Sequence, residues 1–513
     1  MSEYVYPEQK DVSSGTSSSV KTAALIGAII GQLTFGYVGD CLGRSKAMGL
    51  TMALTICGAI LSAINQPFGV DTYGPDITDA QLACKADANS TVCHGKNGPG
   101  GDSMHSEYAW LIFTRLILGV GVGGVYPLAA TIAAESSGSA ANRGKQVSLV
   151  FSTQGIGFLL CPLVVMFLCA VNKDSTIHFS NSSDGSTAAP PNGCFKYYTV
   201  SNASHHHGNH TTSGSLTAEF GPQAAEEGYY GECSNGANDL NWRLALLIGA
   251  VPGILLLPFK VSETSNVVKD PTRKSTFWSD LGRREYWPKL LGTAGGWFLF
   301  DIVFYGNSLF APIVTKAIWS KDADMSTTAA HNAIVFCIAL PGYWVATIFM
   351  DKLGRKNIQI LGFGMMTILF GILAFLLDKK EEAASKLHPY ALLFLYGLTF
   401  FFANFGPNST TFILPSETYP QECRSSLNGF SAACGKLGAA IGSYGFKPLS
   451  VAYGIPVVLA ICSAVSILGV LCTFFFCEDR RGKNMAENKS RIYSNIQDAH
   501  AGTALLSSPV DGK

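Results

Sequence analysis

Gly36-Tyr-Val-Gly-Asp40-Cys-Leu-Gly43-Arg44-Ser-Lys46 stands between two apolar runs, and Ala346-Thr-Ile-Phe-Met-Asp351-Lys-Leu-Gly354-Arg355-Lys356 stands between two others. Both contain D-x-L-G-R, and the two acids lie 351 − 40 = 311 residues apart. A second pair follows in the same order: Glu135 with Arg143, then Glu417 with Arg424. One isolated copy reads as turn chemistry with snorkelling side chains. Two copies in register read as an internal repeat, one charged turn in each half of the chain. Asp40, Arg44, Glu135 and Arg143, with Asp351, Arg355, Glu417 and Arg424, are expected to form ion pairs at matching helix ends. Such pairs break and reform as two helix bundles rock.

Working outward, the runs flanking these turns are long enough to cross a bilayer. Runs of this kind recur at about residues 21–39, 46–64, 108–131, 147–171, 242–259, 288–318, 331–350, 357–377, 389–414, 426–450 and 454–477, eleven in all. The run 288–318 is long enough to be broken or strongly tilted. With 48% hydrophobic and only 14% charged residues, the composition suits a polytopic membrane protein and not a soluble enzyme. Lys+Arg and Asp+Glu balance at 36 each, which argues against a nucleic-acid partner. The N-terminus, Met1-Ser-Glu-Tyr-Val-Tyr, has no signal-peptide pattern.

Basic residues set the expected orientation. The short loops with Arg44 and Lys46, Arg143 and Lys145, Lys352, Arg355 and Lys356, and Arg424 are placed in the cytoplasm, as is the segment from Lys269 to Arg284. The long loops 65–107 and 172–241 are acid-biased and are placed outside. They hold the glycosylation sequons at Asn89, Asn181, Asn202 and Asn209, and the cysteine pairs Cys84/Cys93 and Cys194/Cys233. The expected organisation is a polar N-terminus (1–20), an N-terminal bundle (21–260), a cytoplasmic linker (261–287), a C-terminal bundle (288–478) and a cytoplasmic tail (479–513). His205-His-His207 with His210 reads as a loop tract and not as a metal site, and no cofactor is expected.

One run carries an acid at its centre: Trp297-Phe-Leu-Phe-Asp301-Ile-Val-Phe-Tyr305. Trp297, Asp301 and Tyr305 share a helix face at i, i+4, i+8. A carboxylate near mid-bilayer costs ~2.5–3.5 kcal/mol, so one with aromatic hydrogen-bonding groups on either side marks a transport site. Lys436 lies in another span, and a structural Asp301–Lys436 ion pair is the plainer alternative. Asn404 and Asn408 are also i, i+4 neighbours. Arg115 precedes the glycine-rich stretch Gly119, Gly121, Gly123 and Gly124, where close helix packing is expected, and it is read as anchoring helices or tuning the cavity.

The stretches Gly31–Asp40, Gly123–Ile132, Phe300–Tyr305, Leu340-Pro-Gly-Tyr-Trp344, Phe401–Phe412 and Gly429–Lys436 resemble the major facilitator superfamily, and more closely its phosphate:proton symporter family, over about residues 20–480. The resemblance implies an all-α, two-bundle membrane transporter in a eukaryotic plasma membrane. It implies phosphate bound by Tyr126, Gln154, Trp297, Asp301, Tyr305 and Asn408 with Lys436 near, and Asp301 as the proton-sensitive acid. Phosphate, protons and the lipid bilayer are the implied partners. The chain departs from the family twice. The family's first of twelve spans has no counterpart here, and Val125 stands where the family has an acid implicated in its proton path. Two rivals stay open: a carrier of a glycerophosphodiester or other organic anion, and a phosphate sensor that does not transport.

Overall fold

The computed structural model of this chain describes residues 14–64, 101–137, 139, 141–172, 176–180, 230–234, 237–262, 278, 281–308, 325–377, 388–421 and 423–479. The helices are α1 (Ser14–Leu42), α2 (Arg44–Ala63), α3 (Gly101–Ser136), α4 (Arg143–Val171) and α5 (Ala237–Ser262) in the first half. In the second half they are α6 (Gly296–Ser308), α7 (Met325–Leu353), α8 (Arg355–Leu376), α9 (Pro389–Ala403), α10 (Ser409–Thr418), α11 (Arg424–Tyr453) and α12 (Ile455–Phe476). Nine described helical stretches are long and apolar enough to span a membrane, α9 and α10 counting as one. The chain is a multi-pass membrane protein.

The remaining two expected spans correspond to α6 and α11. Thirteen residues of α6 are described, and α11 buries Ser425, Ser426, Asn428, Ser431 and Lys436, too polar a set to read as lipid-facing. The chain is all-α as expected, with one short hairpin outside the helices. In the loop between α4 and α5, Thr176–Ser180 (β1) pairs antiparallel with Tyr230–Ser234 (β2), with Ile177 opposite Cys233. Such a hairpin satisfies backbone groups of a long polar loop. The four sequons and Cys84, Cys93 and Cys194 lie outside the described residues, as does the His205–His210 tract.

Each D-x-L-G-R turn is built the same way. The helix ends at the leucine, and the glycine takes a left-handed conformation (Gly43 φ 97°, Gly354 φ 84°) that a side chain would strain. The arginine then opens the next helix and folds back on the acid four residues earlier. By this register α1 matches α7, α2 matches α8, α3 matches α9–α10, α4 matches α11 and α5 matches α12. The packing follows the same symmetry. α1 lies along α11 and α4 lies along α7, so each half contributes both kinds of helix to the seam between bundles. Within the first half, α1 and α3 approach closely at Gly27, Gly31, Gly119 and Gly123, where a Cβ would strike the opposing backbone.

Two π-helical segments interrupt the second half. Leu291–Gly295 leads into α6, and Asn404–Asn408 joins α9 to α10. The second is forced by Gly406-Pro407: proline lacks a donor, and Gly406 leaves helical geometry (φ −98°, ψ −114°). Hydroxyls add hydrogen bonds to the carbonyls around this break. Ser409 donates to Asn404 O (2.7 Å), Thr410 to Gly406 O (3.1 Å) and Thr411 to Pro407 O (2.7 Å). Irregular backbone is tolerated at membrane depth when it is satisfied in this way. It turns Asn404 and Asn408 toward each other.

Candidate functional site

The polar residues named from sequence converge on the seam between the bundles. From α11, Lys436 Nζ donates to Asp301 Oδ2 (3.0 Å) and to the Tyr305 hydroxyl (2.8 Å), both on α6. The ammonium also lies 4.5 Å from the Tyr305 ring centre and 5.3 Å from that of Tyr126 on α3, within cation–π reach. Lys436 is 5% exposed and Asp301 2%, so this ion pair is desolvated. Trp297 stands one turn before Asp301 on the same helix and is 3% exposed. Its ring also occupies the space that a side chain on Gly435 would need.

A second polar group adjoins the first. Gln154 Nε2 on α4 donates to the Tyr126 hydroxyl (2.7 Å). Asn408 Nδ2 donates to the Tyr343 hydroxyl on α7 (2.8 Å) and to Asn404 Oδ1 (2.8 Å). Tyr343 closes the circuit by donating to Gln154 Oε1 (3.4 Å), across the seam. All seven site residues expected from the sequence are thus brought into one neighbourhood. Tyr343 was not among them, although it is 1% exposed and joins the two halves. Its sequence signal was present in Leu340-Pro-Gly-Tyr-Trp344, but its partners lie 189 and 65 residues away in the chain.

Aromatic pairs close the site on both sides. Phe151 on α4 stacks on Phe412 of α10 (centroids 4.5 Å, planes 26°), toward the D-x-L-G-R end. Two turns along the same helix, Phe158 stacks on Phe336 of α7 (5.4 Å, 11°) and leans on Phe304 of α6 (6.3 Å). Gln154 lies between these closures. The pattern Phe151, Gln154, Phe158 on one helix was a readable signal that sequence reasoning passed over.

The charged turns form the outermost closure. Arg44 pairs with Asp40 (3.0 Å) and Glu135 (3.3 Å), and Glu135 also takes Arg424 from the other bundle (2.8 Å). In the matching set, Arg355 pairs with Asp351 (2.8 Å) and Glu417 (2.7 Å). Here Arg143 bonds Ser137 Oγ (3.3 Å) and lies within electrostatic reach of Glu417 and Asp351. Each leading acid also caps a helix of the opposite bundle. Asp40 accepts from the Ser425 and Ser426 amides (3.3 and 2.8 Å) and from Ser426 Oγ (2.6 Å) at the start of α11. Asp351 accepts from the Lys145 amide (2.9 Å) at the start of α4. Carboxylates there answer both orphan N–H groups and the helix dipole.

Arg115 joins neither assembly. Eleven residues before Tyr126 on α3, it lies ~16 Å along the helix axis, with its Nε buried and without a hydrogen-bond partner among the described residues. Val125 packs with Phe35, Ala47, Met48 and Leu128 in an apolar cluster of α1, α2 and α3. An aliphatic side chain suits that place, and the structure offers it no polar task.

A family model described as Major Facilitator Superfamily matches residues 3–173, and one described as Sugar (and other) transporter matches residues 296–489. The chain is 32% identical to low affinity inorganic phosphate transporter 4 of Lotus japonicus, over 91% of this chain and 81% of that protein. It is 30% identical to inorganic phosphate transporter 1-6 of Oryza sativa subsp. japonica (92% and 83%) and 29% identical to low affinity inorganic phosphate transporter 3 of Petunia hybrida (94% and 84%). Among solved structures, the proton:xylose symporter XylE has the same fold (TM-score 0.62, 18% identity, 95% and 92% covered), as does the E. coli fucose:proton symporter FucP (0.56, 11%, 91% and 92%). The repeat, the two-bundle fold and these likenesses agree: the chain belongs to the inorganic phosphate transporter family of the major facilitator superfamily.

Proposed function

We propose that this chain carries inorganic phosphate across the plasma membrane by alternating access, coupled to protons, with the D-x-L-G-R turns in the cytoplasm. The observation that carries the reading is the buried Lys436 ammonium, held by Asp301 and Tyr305 beside the hydrogen-bonding groups of Tyr126, Gln154 and Asn408. Lys436 is neutralised by Asp301. An entering phosphate competes for the same ammonium, and two anions in one dry site repel strongly. Protonation of Asp301 relieves that repulsion, so proton and anion load together. With charges balanced, the bundles can rock, and the turns at the cytoplasmic end separate. The aromatic closures stand seven residues apart on α4, ~10 Å along the helix, which favours a compact tetrahedral anion over its glycerol diester.

The test is uptake of radiolabelled phosphate by the full chain in cells lacking their own phosphate carriers, with and without a protonophore. Protonophore-sensitive accumulation is expected, although Val125 replaces an acid. Asp301→Asn is expected to abolish accumulation against a gradient. Continued uphill uptake by that variant would remove Asp301 from the coupling role, and surface-expressed protein without uptake would favour a sensor.

A further inference from the structure

One backbone carbonyl orients every polar side chain in the second group. The Ala339 carbonyl oxygen can only accept, so Asn404 turns its Nδ2 to it (3.1 Å). Asn404 Oδ1 is left facing Asn408, which answers with Nδ2 and sends its other N–H to Tyr343. The Tyr343 hydroxyl has accepted, so its single proton goes to Gln154 Oε1. Gln154 then presents Nε2 to the Tyr126 oxygen, and the Tyr126 proton is left to give. Amide orientation is a choice only where the network is ambiguous. Here the carbonyl at the start admits one direction, across α7, the α9–α10 junction, α4 and α3.

The two ends of this relay differ in kind. Tyr126 offers a donor. Asn408, with both N–H groups engaged, offers Oδ1, an acceptor with no hydrogen-bond partner among the described residues. Asp301 Oδ2 is already held by Lys436. We infer that the relay writes a donor–acceptor code into the site, in which Asn404 and Tyr343 are positioning residues that make Asn408 an acceptor for the hydroxyl of a protonated phosphate and thereby exclude sulfate. This rests on the phosphate-transport reading above. Protonated phosphate brings oxygens for Tyr126 and Lys436 and a P–OH for Asn408. Sulfate at neutral pH brings acceptors alone and sets oxygen against oxygen at Asn408. A site built to bond a substrate hydroxyl rejects an analogue lacking it by far more than size could achieve.

The test is uptake of radiolabelled phosphate by the full chain, competed with sulfate or with arsenate, which keeps the acidic hydroxyl. Where uptake is slow, displacement of bound phosphate from purified protein gives the same ratio. In the wild type, sulfate should compete more than about a hundredfold less well than arsenate. Asn404→Leu removes the anchor while keeping the branched shape and lets the Asn408 amide turn, so the sulfate-to-arsenate gap should narrow about tenfold. Tyr343→Phe keeps the ring and frees one N–H of Asn408 without releasing the amide, so the gap should narrow about threefold. A purely structural role would lower uptake or binding in both variants and leave the ratio alone, and that result overturns the code. If Asn404→Leu does not fold, Tyr343→Phe decides. A wild-type chain that neither takes up nor binds phosphate would overturn the transport reading itself.

Discussion

Lys436 holds the charge balance of the site, because removing it strands a carboxylate. With Asp301 2% exposed and 3.0 Å away, Lys436→Gln leaves a buried, uncompensated charge. Breaking such a pair from one side costs about 3–5 kcal/mol, whereas replacing both partners costs far less. Thermal unfolding of purified protein should therefore fall sharply for Lys436→Gln and recover in Asp301→Asn/Lys436→Gln, with phosphate uptake lost in both. A single variant as stable as the wild type would show that the pair holds nothing together. At this scale the sequence was most legible where chemistry was out of place: an acid and a lysine inside apolar runs declare themselves. Tyr343 did not, because a tyrosine in a span is ordinary and its importance lies in partners brought from elsewhere.

The charged turns matter as elements, since each couples a loop of one bundle to a helix of the other. Asp40 holds the amide protons of Ser425 and Ser426 at the start of α11. Losing such a cap costs about 0.5–2 kcal/mol, which is roughly 2- to 30-fold in an opening equilibrium. Hydrogen exchange at Ser425 and Ser426 should accelerate by that range in Asp40→Ala, and the Lys145 amide should respond in the same way to Asp351→Ala. Unchanged exchange at both places would mean that the bundles stay closed without the caps. The repeat and its register could be read from D-x-L-G-R, because a left-handed glycine between two helices leaves its mark in composition. Which helix each acid caps could not, since the pattern names the acid and not the distant amide it meets. The π segment at Asn404–Asn408 was hidden for a similar reason: Gly406-Pro407 announces a break but not the π geometry that carries the chain past it.

For the whole molecule, the described state is closed on both sides of the site, by Phe158 on Phe336 at one level and by Phe151 on Phe412 with the ion pairs at the other. A carrier working by alternating access must part these closures in turn and never together. The Phe158–Phe336 pair joins α4 of one bundle to α7 of the other, so a covalent link there should stop transport without touching a polar residue of the site. Phe158→Cys with Phe336→Cys puts two thiols on helices whose rings stack at 5.4 Å, so a short, reducible bis-thiol linker should join them. Phosphate uptake should then fall at least about tenfold and return on reduction, while each single variant keeps its uptake under the same linker. Phosphate binding to the linked protein in detergent should slow in proportion, since the route past Phe158 and Phe336 is shut while the route past Phe151 and Phe412 remains. Undiminished uptake by protein shown to be cross-linked would mean that the seam opens elsewhere, and that the stacked phenylalanines are packing between bundles and not a gate.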